Sequence, residues 1–456
     1  MGAAMSCYLD APILEQERSS GSSLAKTDVE QNLLGVSYGA CAVQGWRRAQ
    51  EDAHITAVNF DVSAGLSLFA VFDGHGGAEV AQYCAARFGD VLKSEAAYKF
   101  GDYASALRDA FLRIDETLRS DAGLAEVSRL ADEHSVAQKR INDAHQPAGD
   151  GAAGAHGASA AQVDQIKKMI FAQLGGNPAA ADDEDDNDDD DPREDDEAAG
   201  APEAAGDAPR GGAPDAAATE EEDEDDDERP GFSSGCTAVV VLLDRKRRLL
   251  WCANAGDSRA VLLRGGAAVA LSYDHKPEDA LESRRIELAG GHVVDGRVDG
   301  NLNLSRALGD LRYKAEGHLG PHEQRISALP DVLEVELREG LDGGLVLICD
   351  GITGVMENDD VAARLAAAPA ISAVDAAADL CCHCVAVDCG GDGTGCDNET
   401  VLVVRFSAPA AADGKAPQEP RTADLAPFVP GPVAAAAAPK NDDEAPPSKR
   451  PKPSTE

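Results

Sequence analysis

Acidic residues stand beside glycine or an amide at six places where apolar runs end. They are Glu51-Asp52, Asp73-Gly74-His75-Gly76-Gly77, Gly256-Asp257-Ser258, Gly309-Asp310, Asp350-Gly351 and Asp397-Asn398. Asp73 follows Leu68–Phe72 and Asp350 follows Leu345–Cys349, both markedly apolar. Runs of that kind belong in a core, so a carboxylate at their end is held rigidly at a rim. Several carboxylates gathered there repel one another unless a cation joins them. Oxygen-only donors select Mg²⁺ or Mn²⁺ over zinc or copper. A glycine after the aspartate lets the backbone approach closely, so a carbonyl such as that of Gly74 can also serve an ion. One Asp-Gly pair is ordinarily a turn. Six acidic sites, two of them closing core runs, need another reason. His75, structural if it stood alone, becomes a proton donor beside Asp73. Arg47 follows Trp46 at the end of an apolar run and precedes Glu51-Asp52.

The elements that position these residues follow from periodicity. Strands are predicted at Gly39–Trp46, Leu66–Phe72, Thr237–Leu243, Leu249–Ala253, Ser258–Leu263, Ala268–Leu271, Val332–Leu337, Gly344–Cys349 and Thr400–Phe406. Helical spacing is predicted over Ala78–Phe88, Tyr103–Leu118, Pro277–Leu288, Val361–Ala367 and Ile371–Val385, with a short further helix at Ala161–Leu174. Strands come in runs instead of alternating with helices, which points to an α+β fold with antiparallel sheets and helices packed outside.

Composition divides the chain. Residues 35–120 and 231–407 are expected to form one domain. Residues 1–34 read as a flexible N-terminus, 121–230 as a mostly disordered acidic insert and 408–456 as a disordered Ala/Pro-rich tail, because such segments bury too little apolar surface to order. The net charge is −41, and the stretch Asp182–Arg229 holds 25 acidic residues and three Arg, a net of −22. Direct nucleic-acid binding, which needs a basic patch, is therefore not expected. The acidic runs Asp182–Asp191 and Glu220–Glu228 suit Lys/Arg-rich protein partners. Cys381, Cys382, Cys384, Cys389 and Cys396 surround His383 without paired CxxC spacing, so ordinary reduced thiols are expected rather than zinc. Met1-Gly2-Ala3-Ala4-Met5-Ser6-Cys7 fits the myristoylation pattern, with Gly2 the acceptor and Cys7 a second lipid position; membrane contact is expected only if these are lipidated. Ser448-Lys449-Arg450-Pro451-Lys452-Pro453 reads as a nuclear import signal, so nucleus and cytoplasm are the expected locations.

Gly45-Trp46-Arg47-Arg48-Ala49-Gln50-Glu51-Asp52-Ala53-His54 and Val71-Phe72-Asp73-Gly74-His75-Gly76-Gly77 resemble signatures of the PPM, or type 2C, metal-dependent protein serine/threonine phosphatases. Gly235-Cys236-Thr237-Ala238, Ala253–Arg259, Asp274-His275-Lys276-Pro277, Leu304–Asp310, Cys349-Asp350-Gly351 and Gly395–Thr400 continue the resemblance in family order. The acidic insert and Gly391-Asp392-Gly393-Thr394 resemble the gamma branch. The resemblance implies a four-layer α/β/β/α sandwich of two antiparallel sheets, with a binuclear metal cleft at one end. It implies two Mg²⁺ or Mn²⁺ ions: Asp73 bridging, Gly74 and Glu51 on one, Asp350 and Asp397 on the other. Arg47 would bind phosphate and His75 would protonate the leaving oxygen. Asp52, His54 and Asn398 would support that shell. Attack by a metal-bridging hydroxide on phosphoserine or phosphothreonine, without a phosphoenzyme, is the implied reaction. A third, weaker ion would involve Asp257, but Thr353 and Gly354 stand where many relatives carry Trp and Asp, so that site is expected to be impaired. An acidic scaffold or chaperone for basic proteins on an inactive fold is the competing reading, and retention of the ligand residues argues against it. A nuclease is disfavoured by the acidic charge and the missing basic groove.

Overall fold

The computed structural model describes residues 8–23, 34–145, 232–389 and 392–407. Two antiparallel sheets dominate. The first runs in the order β1 (Tyr8–Ser23), β2 (Gly35–Arg47), β16 (Glu399–Ser407), β15 (Asp342–Ile348), β9 (Arg259–Arg264) and β10 (Ala267–Ala270). The second runs β14 (Asp331–Glu336), β8 (Leu249–Ala255), β7 (Ala238–Asp244), β4 (Leu66–Phe72) and β3 (Ala53–Asp61). Two small sheets stand at the margin, one of β13 (Leu308–Gly309), β6 (Gly235–Cys236) and β5 (Gly74–His75), the other of β11 (Val293–Val294) and β12 (Arg297–Val298). The helices are α1 (Glu79–Ser94), α2 (Ala96–Phe100), α3 (Tyr103–Leu118), α4 (Asp121–His145), α5 (Ala280–Leu288), α6 (Asp350–Thr353), α7 (Asn358–Ala367) and α8 (Ala373–Cys384).

Strands β4 and β7 explain the layering. Along a strand successive side chains point to opposite faces. Phe69, Val71, Val239 and Val241 enter the core shared with the first sheet. Leu66, Leu68, Ala70, Phe72, Val240 and Leu242 enter a second core with Val80, Phe88, Leu107, Phe111 and Ile114 of α1 and α3. Both faces are covered, which is why these strands read as continuous apolar runs. Truncating Phe72 to Ala would cost about 3–5 kcal/mol and loosen the strand that ends at Asp73. On the other side, Ala376, Ala377, Leu380, Cys381 and Cys384 of α8 join the inter-sheet core cluster, whose members also include Cys41 and Val403. Gly39 makes that approach possible, because a Cβ there would lie 2.0 Å from the Val374 nitrogen.

Three expectations are corrected. Helix α4 lies in the segment read as unordered insert; its buried Val127 and half-buried Leu130 join the second core, so the folded part continues to His145. Strand β1 lies in the N-terminal stretch read as flexible and pairs antiparallel with β2. Cys389 and Cys396 form a disulfide where free thiols were expected. Strand β3 was also unassigned: its face is only half-buried, so its sequence lacks a clean alternation. Gly2, Cys7, the Ala161–Leu174 helix, the acidic runs and the basic C-terminal cluster lie outside the described residues.

Candidate active site

The two main sheets bring their chemistry together where β4 and β15 end. Asp73 follows β4 and Asp350 follows β15, and the Asp350 N–H donates to Asp73 Oδ2 at 3.3 Å. One carboxylate-rich rim thus joins both sheets. A cavity of about 290 Å³ lies there, lined by Arg47, Glu51, Asp73, Gly74, His75, Asp257, Asp350 and Asp397 among others. Gly74 must be glycine, since a Cβ would stand 2.2 Å from the Glu51 carbonyl oxygen. Arg47 closes β2 and its Nη2 donates to Asp397 Oδ2 at 2.5 Å.

Asn398 ties the cleft's loops together. Its Oδ1 accepts from the Glu51 N–H at 2.9 Å, and its Nδ2 donates to the Gln44 and Ala49 carbonyls at 2.8 and 2.9 Å. Asp52 sits behind the cavity, accepting from Thr400 Oγ1 at 2.6 Å, while its Oδ1 is buried without a hydrogen-bond partner. His54 is farther back, on β3 opposite Val71, and does not line the cavity.

Charge is poorly settled in this cleft. Burial, then the charges of Asp350, Asp52, Asp257 and Asp397, hold the Asp73 carboxyl well above its ordinary range. Burial, with Asp257 and Asp397, pushes Asp350 up to about 7. Burial raises Asp52 to about 7 as well, against the opposing Thr400 hydrogen bond, and raises Glu51. Such a set of repelling, oxygen-only donors fits hard divalent cations. As they stand, no three His, Cys, Asp or Glu side chains among the described residues converge into a ready-made ion cage; the carboxylates line a common wall, which fits ions that also keep water ligands.

The donor set does not fit a third ion equally. Asp257 is buried and receives the Lys276 ammonium at 2.5 Å. Burial disfavours that charge, yet Asp257 outweighs it and the Lys276 pKa is raised. Gly354 caps α6 on the surface with no side chain to offer.

His75 has a partner that sequence reasoning did not assign. Its Nε2 lies 2.8 Å from Asp310 Oδ2. Burial pulls the imidazole down, but Asp310 reverses this and the net shift is upward. The small sheet sets this pair: His75, Gly235 and Gly309 share one register line across β5, β6 and β13. A Cβ on Gly235 would lie 2.4 Å from Asp310 Oδ2 and 2.8 Å from His75 Nε2. Gly309 and Asp310 both have positive φ, +77° and +51°. Buried Asp115 holds that turn by accepting from the Gly309 N–H at 2.9 Å and from Lys314 Nζ at 2.6 Å. The signal in the sequence was Gly309-Asp310 itself, counted among the six acidic sites without a role. Arg297, Asn303 and Leu304 also line the cavity; Asp295-Gly296-Arg297 looks like any polar turn and marked nothing.

Residues 36–143 and 155–392 match the family model described as Protein phosphatase 2C. The chain belongs to the protein phosphatase 2C family. Metal dependence is general to that family, and this member is accordingly a metal-dependent protein phosphatase with phosphoprotein substrates. Protein phosphatase 1G of Rattus norvegicus is 36% identical, over 82% of this chain and 89% of its own length. Protein phosphatase ppm-1.G of Caenorhabditis elegans is 32% identical, over 88% and 99%. A phosphatase structure from Toxoplasma gondii, 20% identical, superposes with a TM-score of 0.51 over 86% of this chain and 96% of its own, which supports the shared fold of two antiparallel sheets and outer helices.

Proposed function

We propose that this phosphatase 2C member hydrolyses phosphoserine and phosphothreonine by direct attack of water, with two divalent ions held by Asp73, the Gly74 carbonyl, Glu51, Asp350 and Asp397. The observation that carries this reading is the concentration of five carboxylates and Arg47 around one small cavity, with more negative charge than its own side chains offset. Bound divalent ions supply Lewis acidity there, offsetting the dianionic phosphate and making water nucleophilic at neutral pH. Arg47 presents a planar fork of N–H donors to the phosphoryl oxygens. His75 gives its proton to the departing Ser or Thr oxygen. With Nε2 committed to Asp310, Nδ1 is the nitrogen that delivers it. Cys349, which precedes Asp350, does not compete as nucleophile, since it is buried and its thiol is pushed far up, first by burial. Asp52, Asn398 and, more remotely, His54 support the ligands.

Lys276 supplies the positive charge at Asp257, so two ions suffice. Titration calorimetry with Mn²⁺ on ion-free protein tests the count: two sites for the wild type and a weakened one for Asp397→Asn support the reading, and a single site or three equivalent sites contradict it. Within the family, the acidic insert and the identity with the two G-type relatives favour the gamma branch. The insert's charge then serves to attract Lys/Arg-rich phosphoproteins in the nucleus, with cytoplasm second. Deleting 182–228 should lower activity on a basic phosphoprotein at low salt and leave a neutral phosphopeptide unaffected.

A further inference from the structure

The segment that runs from the phosphate-binding arginine, Arg47 at the end of β2, to the ion ligand Glu51 leaves the sheet ladder after Arg47. Residues 48–52 are irregular, between the end of β2 and the start of β3. Buried or half-buried backbone polar groups still need partners, and here side chains provide them. Gln44 Nε2 donates to the Arg47 carbonyl at 2.9 Å. Asn398 takes the Ala49 carbonyl and the Glu51 N–H. The remaining three bonds come from α4: Asn142 Nδ2 donates to the Arg48 carbonyl at 2.9 Å, His134 Nε2 lies 2.9 Å from the Gln50 carbonyl, and Gln138 Oε1 accepts from the Gln50 N–H at 3.2 Å.

These α4 residues recur at i, i+4 and i+8, so they form one polar stripe on one helix face. Gln138 is buried and also donates to Gln44 Oε1 at 2.8 Å and to Asn142 Oδ1 at 3.0 Å. The stripe is therefore knitted to itself and to β2. Packing α4 against α1 and α3 needs only its apolar face; a second, polar stripe matched to successive backbone groups of one loop has a different purpose.

We propose that α4 is a positioning element of the active site: His134, Gln138 and Asn142 hold the Arg47–Glu51 segment in the geometry that places Arg47 on phosphate and Glu51 on an ion. The inference rests on the roles of Arg47 and Glu51 given above. Outer partners that orient metal ligands typically contribute 10–100-fold to affinity. It also gives a function to the helix that leads into the acidic insert.

The test uses the full-length protein carrying H134F/N142L, which removes two loop bonds and spares the buried Gln44–Gln138 pair. Mn²⁺ affinity is measured by calorimetry on ion-free protein, and inorganic phosphate is measured as a competitive inhibitor. Thermal unfolding checks the fold, and Gln138→Leu serves as an independent variant. Expected is about tenfold weaker Mn²⁺ binding and about tenfold weaker phosphate inhibition, with kcat largely restored by saturating Mn²⁺. Unchanged Mn²⁺ and phosphate affinities in both variants, or a kcat loss that saturating Mn²⁺ does not restore, would overturn it. Glu51→Gln separates the two claims. If it leaves Mn²⁺ affinity intact, the ligand role of Glu51 falls; if it weakens Mn²⁺ while the α4 variants do not, only the role of α4 falls.

Discussion

Two buried acidic clusters in this domain carry opposite electrostatics. In the first turn of α5, burial alone would raise the Glu282 carboxyl, but Arg306 and Arg285 bring it down to about 2. Arg306 Nη2 donates to Glu282 Oε1 at 2.6 Å and Nη1 to Asp331 Oδ1 at 2.9 Å, while Ser305 Oγ donates to Glu282 Oε2 at 2.8 Å. In the cleft, Asp73, Asp350 and Asp52 are half-buried and are all raised. The first cluster received its cations from the chain and is settled on folding. The second received only Arg47 at Asp397 and Lys276 at Asp257, so the charge of Asp73, Asp350 and Asp52 is left to be compensated from outside. Burial of acid groups is therefore not what marks the site; burial without matching cations is.

The comparison breaks most visibly through paired substitutions. With Mn²⁺, Asp73→Asn should lower phosphate release by more than about 10³-fold, since ion-based charge stabilisation is worth several kcal/mol. The same change should raise the melting temperature of ion-free protein by about 2–4 °C by removing a repelled charge. Glu282→Gln should do the reverse for stability. Leaving Arg285 and Arg306 underpaired should cost about 3–5 kcal/mol, read by urea denaturation, and a change below about 1 kcal/mol would mean the two clusters are alike.

The pH dependence sharpens the contrast, and the signs oppose. Asp52 and Asp350 have folded pKa values near 7, above their ordinary range, so the stability tied to their protons is full below about pH 4 and is lost as pH rises through 7. Glu282 is depressed, so its contribution is full above about pH 4.5 and is lost as pH falls towards 2. Ion-free protein should thus melt lower at pH 8 than at pH 5.5. Mn²⁺ at about 100 times its Kd should add about 2.7 kcal/mol per site at pH 8 and less at pH 5.5, where protons compete. Scanning calorimetry with and without Mn²⁺ checks this. The smallest effect concerns geometry rather than charge. Gly235→Ala pushes a methyl between His75 and Asp310. It should lower kcat on a phosphothreonine peptide about tenfold and on p-nitrophenyl phosphate much less, because the latter leaving group needs little proton donation.

The sequence was most legible where physics is local. Strand β4 and helix α3 are legible to the residue, because continuous apolar runs and an i, i+3, i+4 stripe leave little ambiguity. The carboxylates beside glycine were also legible, as both features lie within one or two residues. What long-range contacts create was not. Asp310 is 235 positions from His75, and Lys276 caps Asp257 only because the strand between them, β9, turns back through β10. Helix α4 was missed because its polar stripe, Ala content and acidic neighbourhood resemble the insert that follows; its purpose is visible only beside Arg48 and Gln50.

The most direct test of the central claim, an uncompensated acidic cleft that hydrolyses phosphoproteins once a divalent cation fills it, is phosphate release from a phosphothreonine peptide. Wild type and Asp350→Asn are compared with Mn²⁺, with Mg²⁺ and with chelator. Release that needs the ion and is abolished by the substitution is the expected result. Release that persists in chelator, or in Asp350→Asn at wild-type rate, would contradict the account.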